Sequence, residues 1–206
     1  MNTIESVWFL PNLSIISCSS CVIFLVFIII TNIGKNWLIT LYLCKKSKLN
    51  IFVLDLNPEL AAQYHCDKHV VKMILETTQL LCNAHHINGI NPAVETILYK
   101  KTHINNPCTK WVKNSSGNYK WLTILGQELC KEYTKRYGKV HKCQSKIEQL
   151  SIYYPLFFPN TELTEFVQVM PERYKHADVV IAYRNLYRYE KANILKYKLL
   201  NKPFFL

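Results

Sequence analysis

With 206 residues, half of them apolar, the chain has room for one domain with a full core plus an appendage, and its formal charge of +11 favours nucleic acid or an anionic membrane surface as partner. Setting aside residues 1–49 leaves 21 basic and 13 acidic side chains, still a net +8 for residues 50–206. Eight cysteines at irregular spacings exclude a disulfide-stapled scaffold and point to a reducing, cytosol-like compartment.

From Ser6 to Gly34 no residue is charged, and residues 13–33 are almost wholly apolar. A bilayer needs about 20 such residues, so residues 1–49 read as a hydrophobic, transmembrane extension. Lys35, Lys45, Lys46 and Lys48 all follow it, which places the C-terminal domain on the cytosolic side by the positive-inside rule. The run from Trp37 to Cys44 is too short to span and reads as an interfacial segment. The other reading is an upstream extension that does not accompany the mature domain.

After the extended apolar run Ile51–Leu54, Asn57 and Pro58 supply an N-cap and a first helical residue. The periodicity predicts one long helix through Asn83. Cys66, Val70, Met73, Ile74, Leu80 and Leu81 share one face, and His65, His69, Lys72, Glu76, Gln79 and Asn83 share another. Two imidazoles, an ammonium, a carboxylate and two amides are an unusual set for a solvated face and suit acid–base chemistry.

Asn91-Pro92 opens a short helix to Lys101, and Asn106-Pro107 repeats the same cap before Cys108, Trp111 and Val112. Ser115 or Ser116 caps a longer helix with Tyr119, Leu122, Leu125, Cys130 and Tyr133 inward, ended by Gly138 near Tyr137. A short helix follows at 145–151, and Pro171 opens a last helix or helix pair to about Leu200. No strand alternation and no long repeat is visible, so residues 50–206 read as one all-α, basic domain.

His65 and His69 are spaced i,i+4, but no accompanying motif supports a metal, so the imidazoles are read as contacts to phosphate or to a partner carboxylate. Two basic-aromatic sets, Lys131, Lys135, Arg136, Tyr137, Lys139, His141 and Tyr183, Arg184, Tyr187, Arg188, have the make-up of a nucleic-acid surface, with cations for phosphates and rings for stacking.

Taken together, Asn50–Asp55, Cys66–Glu76, the Asn105-Asn106-Pro107-Cys108 turn with Trp111, Asn118-Tyr119 with Trp121, and Tyr133–His141 resemble a family of small proteins of phages and large DNA viruses. That family is itself similar to the pyrimidine-dimer DNA glycosylases (endonuclease V-like). The resemblance covers about residues 50–191. It implies an all-α domain that attacks the sugar of damaged DNA with the α-amine of its first residue, beside a glutamate of the first helix. The matching start here is Asn50, with 49 residues ahead of it; Glu76 lies further along than the family's carboxylate, and Asn106 stands where related proteins carry His.

On that resemblance Glu76 is expected to act as general acid/base or to stabilise a sugar cation, and Lys72 as nucleophile or phosphate clamp. His65, His69, Gln79, Arg136, Lys139, His141, Arg184 and Arg188 are the expected contacts to duplex DNA, and no cofactor or metal is expected. The domain would work against the membrane or, without the extension, in the cytoplasm or a viral factory. The reading from a different class is a non-catalytic, membrane-anchored protein whose polar stripe binds a partner.

Overall fold

The computed structural model describes residues 30–33, 36–39, 49–198 and 202–206. The chain divides into two compact units, Met1–Ser47 and Lys48–Leu206. In the first, β1 (Ile30–Ile33) pairs antiparallel with β2 (Asn36–Ile39), Ile30 opposite Ile39 and Ile33 opposite Asn36. The expected membrane span, residues 13–33, otherwise lies outside the described residues. Its last four residues are strand and not helix, and no helix among the described residues is long and apolar enough to cross a membrane. The start of the expected interfacial run, Trp37 to Ile39, is likewise strand.

The second unit is all-α: α1 (Pro58–Tyr64), α2 (Asp67–Asn88), α3 (Pro107–Lys113), α4 (Ser116–Tyr137), α5 (Gln144–Ile152) and α6 (Val179–Asn185), with short 3-10 helices at Pro92–Ile97, where a helix to Lys101 was expected, and at Glu172–Tyr174. Three caps follow from local chemistry. The side-chain oxygens of Asn57, Asn106 and Ser115 accept the backbone N–H of Glu59, Cys108 and Gly117, filling donors that no helical carbonyl reaches. Gly138 ends α4 at φ 65°, a conformation that suits a residue without Cβ.

The single helix expected from Asn57 to Asn83 is broken at His65 and Cys66, both extended. A residue 70 positions away causes the break. The buried Arg136 guanidinium of α4 donates to Gln63 O at 3.0 Å and His65 O at 2.7 Å, carbonyls that a continuous helix would give to residues 67 and 69. The displaced amides find other partners, Asp67 N on Lys196 O and His69 N on Cys66 O.

Helix α4 packs against α1, α2, α3 and α5, and the core lies along it. Ile74, Leu80 and Leu81 of α2 meet Leu122, Leu125 and Leu129 of α4 and Ile147 of α5, all fully buried; each such side chain contributes about 1.5–3 kcal/mol. Leu49 and the apolar run Ile51–Leu54 are buried, with Asn50 between them half buried. The last helix expected from Pro171 is much shorter. Pro171 precedes one turn only, and α6 starts where the Asp178 carboxylate caps Val180 N and Ile181 N. It then widens into a π-turn, Leu186–Glu190.

Residues 160–170 form a strap with no regular structure, tied down residue by residue. Ser116 N donates to Asn160 O, Ser115 Oγ to Glu162 O, and the Asn118 amide exchanges hydrogen bonds with Thr164 N and Oγ1 at 2.8 Å each. Phe166 stacks on Trp111 and meets Trp121 edge-on, with ring centroids 5.0 and 4.8 Å away. The strap thus ends beside residue 50.

Candidate active site

Burial of the 49–54 run brings the backbone nitrogen of Asn50 to α2, where it donates to Glu76 Oε2 at 3.0 Å. Glu76 is only 4% exposed, although it belongs to the polar stripe. Its other oxygen, Oε1, lies 2.9 Å from Lys72 Nζ, one turn earlier on α2. Lys72 itself is half exposed, so it bridges the buried carboxylate to solvent. Gln79, one turn later, is half buried.

Residue 50 is held on every side. Its Nδ2 donates to Val169 O of the strap at 3.1 Å, and its Oδ1 accepts the next backbone amide, Ile51 N, at 2.8 Å. The Tyr183 hydroxyl of α6 lies 3.1 Å from the same oxygen, and Cys108 Sγ 3.8 Å from it. Asn106 caps α3 with its oxygen and with Nδ2 donates to Leu49 O at 2.9 Å. Burial pushes the Cys108 thiol up to about 12, with the Glu76 carboxylate adding to the shift against the Ile51 N–H, so Cys108 is protonated and inert at neutral pH.

The two stripe histidines are buried. His65 is fully buried, donates from Nδ1 to Ala61 O at 2.6 Å and leaves Nε2 without a partner. His69 stacks on Phe52 at 4.4 Å and has Nδ1 2.5 Å from the Tyr187 hydroxyl. Burial lowers His65 to about 4, against the Ala61 carbonyl and with the Arg136 charge. Burial, His65, Lys191 and Lys72 lower His69 to about 3. Neutral imidazoles inside an aromatic cluster offer no positive charge to a phosphate.

Arg136 was expected on the nucleic-acid surface and is instead 1% exposed. Nε and Nη2 meet Glu132 Oε2 at 2.9 and 2.8 Å, and Nη1 meets Asp67 Oδ1 at 3.2 Å. A guanidinium in an apolar interior keeps its charge only with such partners, which the i,i+4 spacing from Glu132 signals in the sequence. In the second basic-aromatic set the two tyrosines are buried, Arg184 is half buried and Arg188 is exposed. Tyr183 and Tyr187 are buried; Arg184 donates to Leu54 O, pairs with Asp55 at 3.1 Å and stacks over Phe205; Arg188 donates to Phe205 O. Lys139 is exposed, and His141 is partly buried, accepting Cys143 N on Nδ1.

The structure therefore brings Glu76 and Lys72 together, with Gln79 on the following turn, and leaves Lys139 and His141 beyond the far end of α4. It adds Asn50 N, which the side-chain pattern did not single out, and the hydroxyl of Tyr183, which that pattern offered only as a stacking ring. The amide of Asn50 has a signal in the sequence, since it sits where the resembling family begins. Tyr183 has none, because its spacing from Tyr187 matches a stacking or core residue equally well.

The buried Glu76 carboxylate thus lies between the backbone nitrogen of Asn50 and the amine of Lys72 in an all-α domain. Residues 49–145 match the family model described as pyrimidine dimer DNA glycosylase, so this stretch, which holds Asn50, Lys72, Glu76 and Asn106, is similar to that family. The match is consistent with glycosylase-like activity and ends before the strap and Tyr183. No curated protein and no solved structure matches the chain.

Proposed function

We propose that residues 48–206 act on duplex DNA as an N-glycosylase with AP-lyase character, with Glu76 as the general acid/base. The observation that carries this reading is the 3.0 Å contact between Asn50 N and a nearly fully buried carboxylate. Base release coupled to strand cleavage uses an amine at C1′, a proton for the departing base, and a group that stabilises the sugar cation between the two events. The amine adds to C1′ as the C1′–base bond breaks and the base leaves with that electron pair and a proton; the added nitrogen then gives up a proton and its lone pair expels O4′, which takes a proton from the carboxyl group as the sugar ring opens to the iminium.

With residues 1–49 attached, Asn50 N is an amide whose lone pair is delocalised into the carbonyl, and it is no nucleophile. In that form the amine is Lys72, in contact with Glu76 and open to solvent. In a chain that begins at Asn50, the α-amine takes the place of the amide, at hydrogen-bond distance from Glu76. Lys68 and Lys72 on the exposed side of α2, with Lys139, supply charge for the phosphates.

Borohydride trapping on duplex DNA carrying a pyrimidine dimer or an abasic site tests this. It is run with the full chain and with residues 50–206 released from a cleavable fusion, so that Asn50 bears the free amine. Peptide mapping of a trapped adduct reads out Lys72 in the first and Asn50 in the second. The reading is wrong if neither form gives an adduct, or if Glu76→Gln traps as well as the parent.

A further inference from the structure

We propose that Tyr183 is a positioning residue for the Asn50 nitrogen, acting through the Asn50 side chain. The inference concerns the site of the preceding section and rests on that reading for its catalytic meaning.

The hydroxyl of Tyr183 sits at a junction of three segments remote in sequence. It accepts Val169 N at 3.3 Å, and its single proton has two acceptors, Val167 O at 2.9 Å and Asn50 Oδ1 at 3.1 Å. The Asn50 amide group completes a ring of contacts by donating to Val169 O at 3.1 Å. Strap, α6 and residue 50 are thereby locked to one another at one oxygen atom. Because Asn50 Oδ1 also accepts Ile51 N, its side chain is fixed relative to its own backbone, and fixing the side chain fixes the direction of Asn50 N towards Glu76.

The other contacts do not do this equally well. Asn106 holds Leu49 O, so its contribution exists only in a chain where residue 49 is present. Cys108 Sγ, at 3.8 Å, is a weak donor at long range. Tyr183 is the side chain that orients residue 50 with or without anything ahead of it. Its position is itself stiff, since the ring is fully buried and packs edge-on against Phe52 with centroids 5.9 Å apart. Burial raises the phenol well above its ordinary range, so it stays a neutral donor.

The test uses the full chain and needs no activity. Tyr183→Phe keeps the ring and removes the hydroxyl; Asn50→Ala removes the acceptor and leaves the tyrosine. Amide hydrogen exchange and the chemical shift of the Asn50 amide are measured by NMR in each, with α4 amides as the reference for the fold. In both single variants the residue-50 amide is expected to exchange at least tenfold faster and to change its chemical shift, with α4 protection unchanged. The double variant should go no further than either single one. An unchanged residue-50 amide in Tyr183→Phe overturns the assignment even if a borohydride adduct forms. Accelerated exchange in a protein that forms no adduct upholds it, and counts against the glycosylase reading alone.

Discussion

Glu76 and Asn50 lie 26 positions apart in the chain and 3.0 Å apart in space, carboxylate oxygen to backbone nitrogen. Glu76→Gln retains an oxygen that accepts the same N–H, so the melting transition should move by no more than the equivalent of about 1 kcal/mol. General acid–base catalysis by the group should be lost, lowering base release on a dimer-containing duplex by about 10²–10⁴-fold. Paired calorimetry and single-turnover kinetics separate the two effects, and a variant equally impaired in both would point to a structural carboxylate.

Arg136 should matter to folding and not to DNA. Arg136→Ala leaves the buried Glu132 with only the exposed Lys135, 3.6 Å away, and frees the carbonyls of Gln63 and His65, a loss of about 3–5 kcal/mol in urea denaturation. Lys139→Ala, at an exposed site, should leave stability alone and reduce the slope of log affinity against log salt by about one if it meets a phosphate. Equal salt slopes in Lys139→Ala and the parent would remove Lys139 from the interface.

Stability should fall on acidification. His65 and His85 are lowered to about 4 and His69 to about 3, in each case mainly by burial. Between those values and 6.5 the unfolded chain binds protons that the folded chain does not, so stability rises with pH across that window and is fully present above it. Each imidazole contributes a slope of about 1.4 kcal/mol per pH unit well below pH 6.5. Denaturation midpoints at pH 7.5, 6, 5 and 4.5 measure it, and a flat profile would show that the histidines are not buried as neutral groups.

The strap leaves no room at Gly117. A methyl group there would lie 2.6 Å from Leu163 N, 2.7 Å from Glu162 C and 2.8 Å from Thr161 O, all backbone. Gly117→Ala should therefore cost about 1–3 kcal/mol despite its better helix propensity, and should increase protease cleavage within residues 160–170. A stabilised variant would mean the strap is not seated on α4.

Much of this fold is legible in local sequence, because caps and helical periodicity are local. Asn57, Asn106, Ser115 and Gly138 mark the ends they form, and Val70, Met73, Ile74, Leu80 and Leu81 face inward as their spacing requires. What stays hidden is set by long-range partners. Nothing between Asn57 and Asn83 announces the break at His65, since the guanidinium that takes the carbonyls lies on α4. The polar stripe is correct as a list of residues and misleading as a surface. His69, Glu76 and Asn83 are buried by Tyr187, the 49–54 run and the Thr102 loop, all remote in sequence. Nothing local shows that Arg184 and Arg188 also donate to the carbonyls of Leu54 and Phe205.

The Asn106 side chain faces two ways, its oxygen to the first turn of α3 and its nitrogen to the carbonyl of Leu49. Aspartate is an equally good N-cap, yet at this position its second oxygen would confront a carbonyl oxygen at about the same distance, turning attraction into repulsion. Chemistry at residue 106 is thus chosen by two demands at once, and the commonest isosteric exchange in a helix cap is closed to it. The seating of the segment at residue 49 is written into the choice between an amide and an acid.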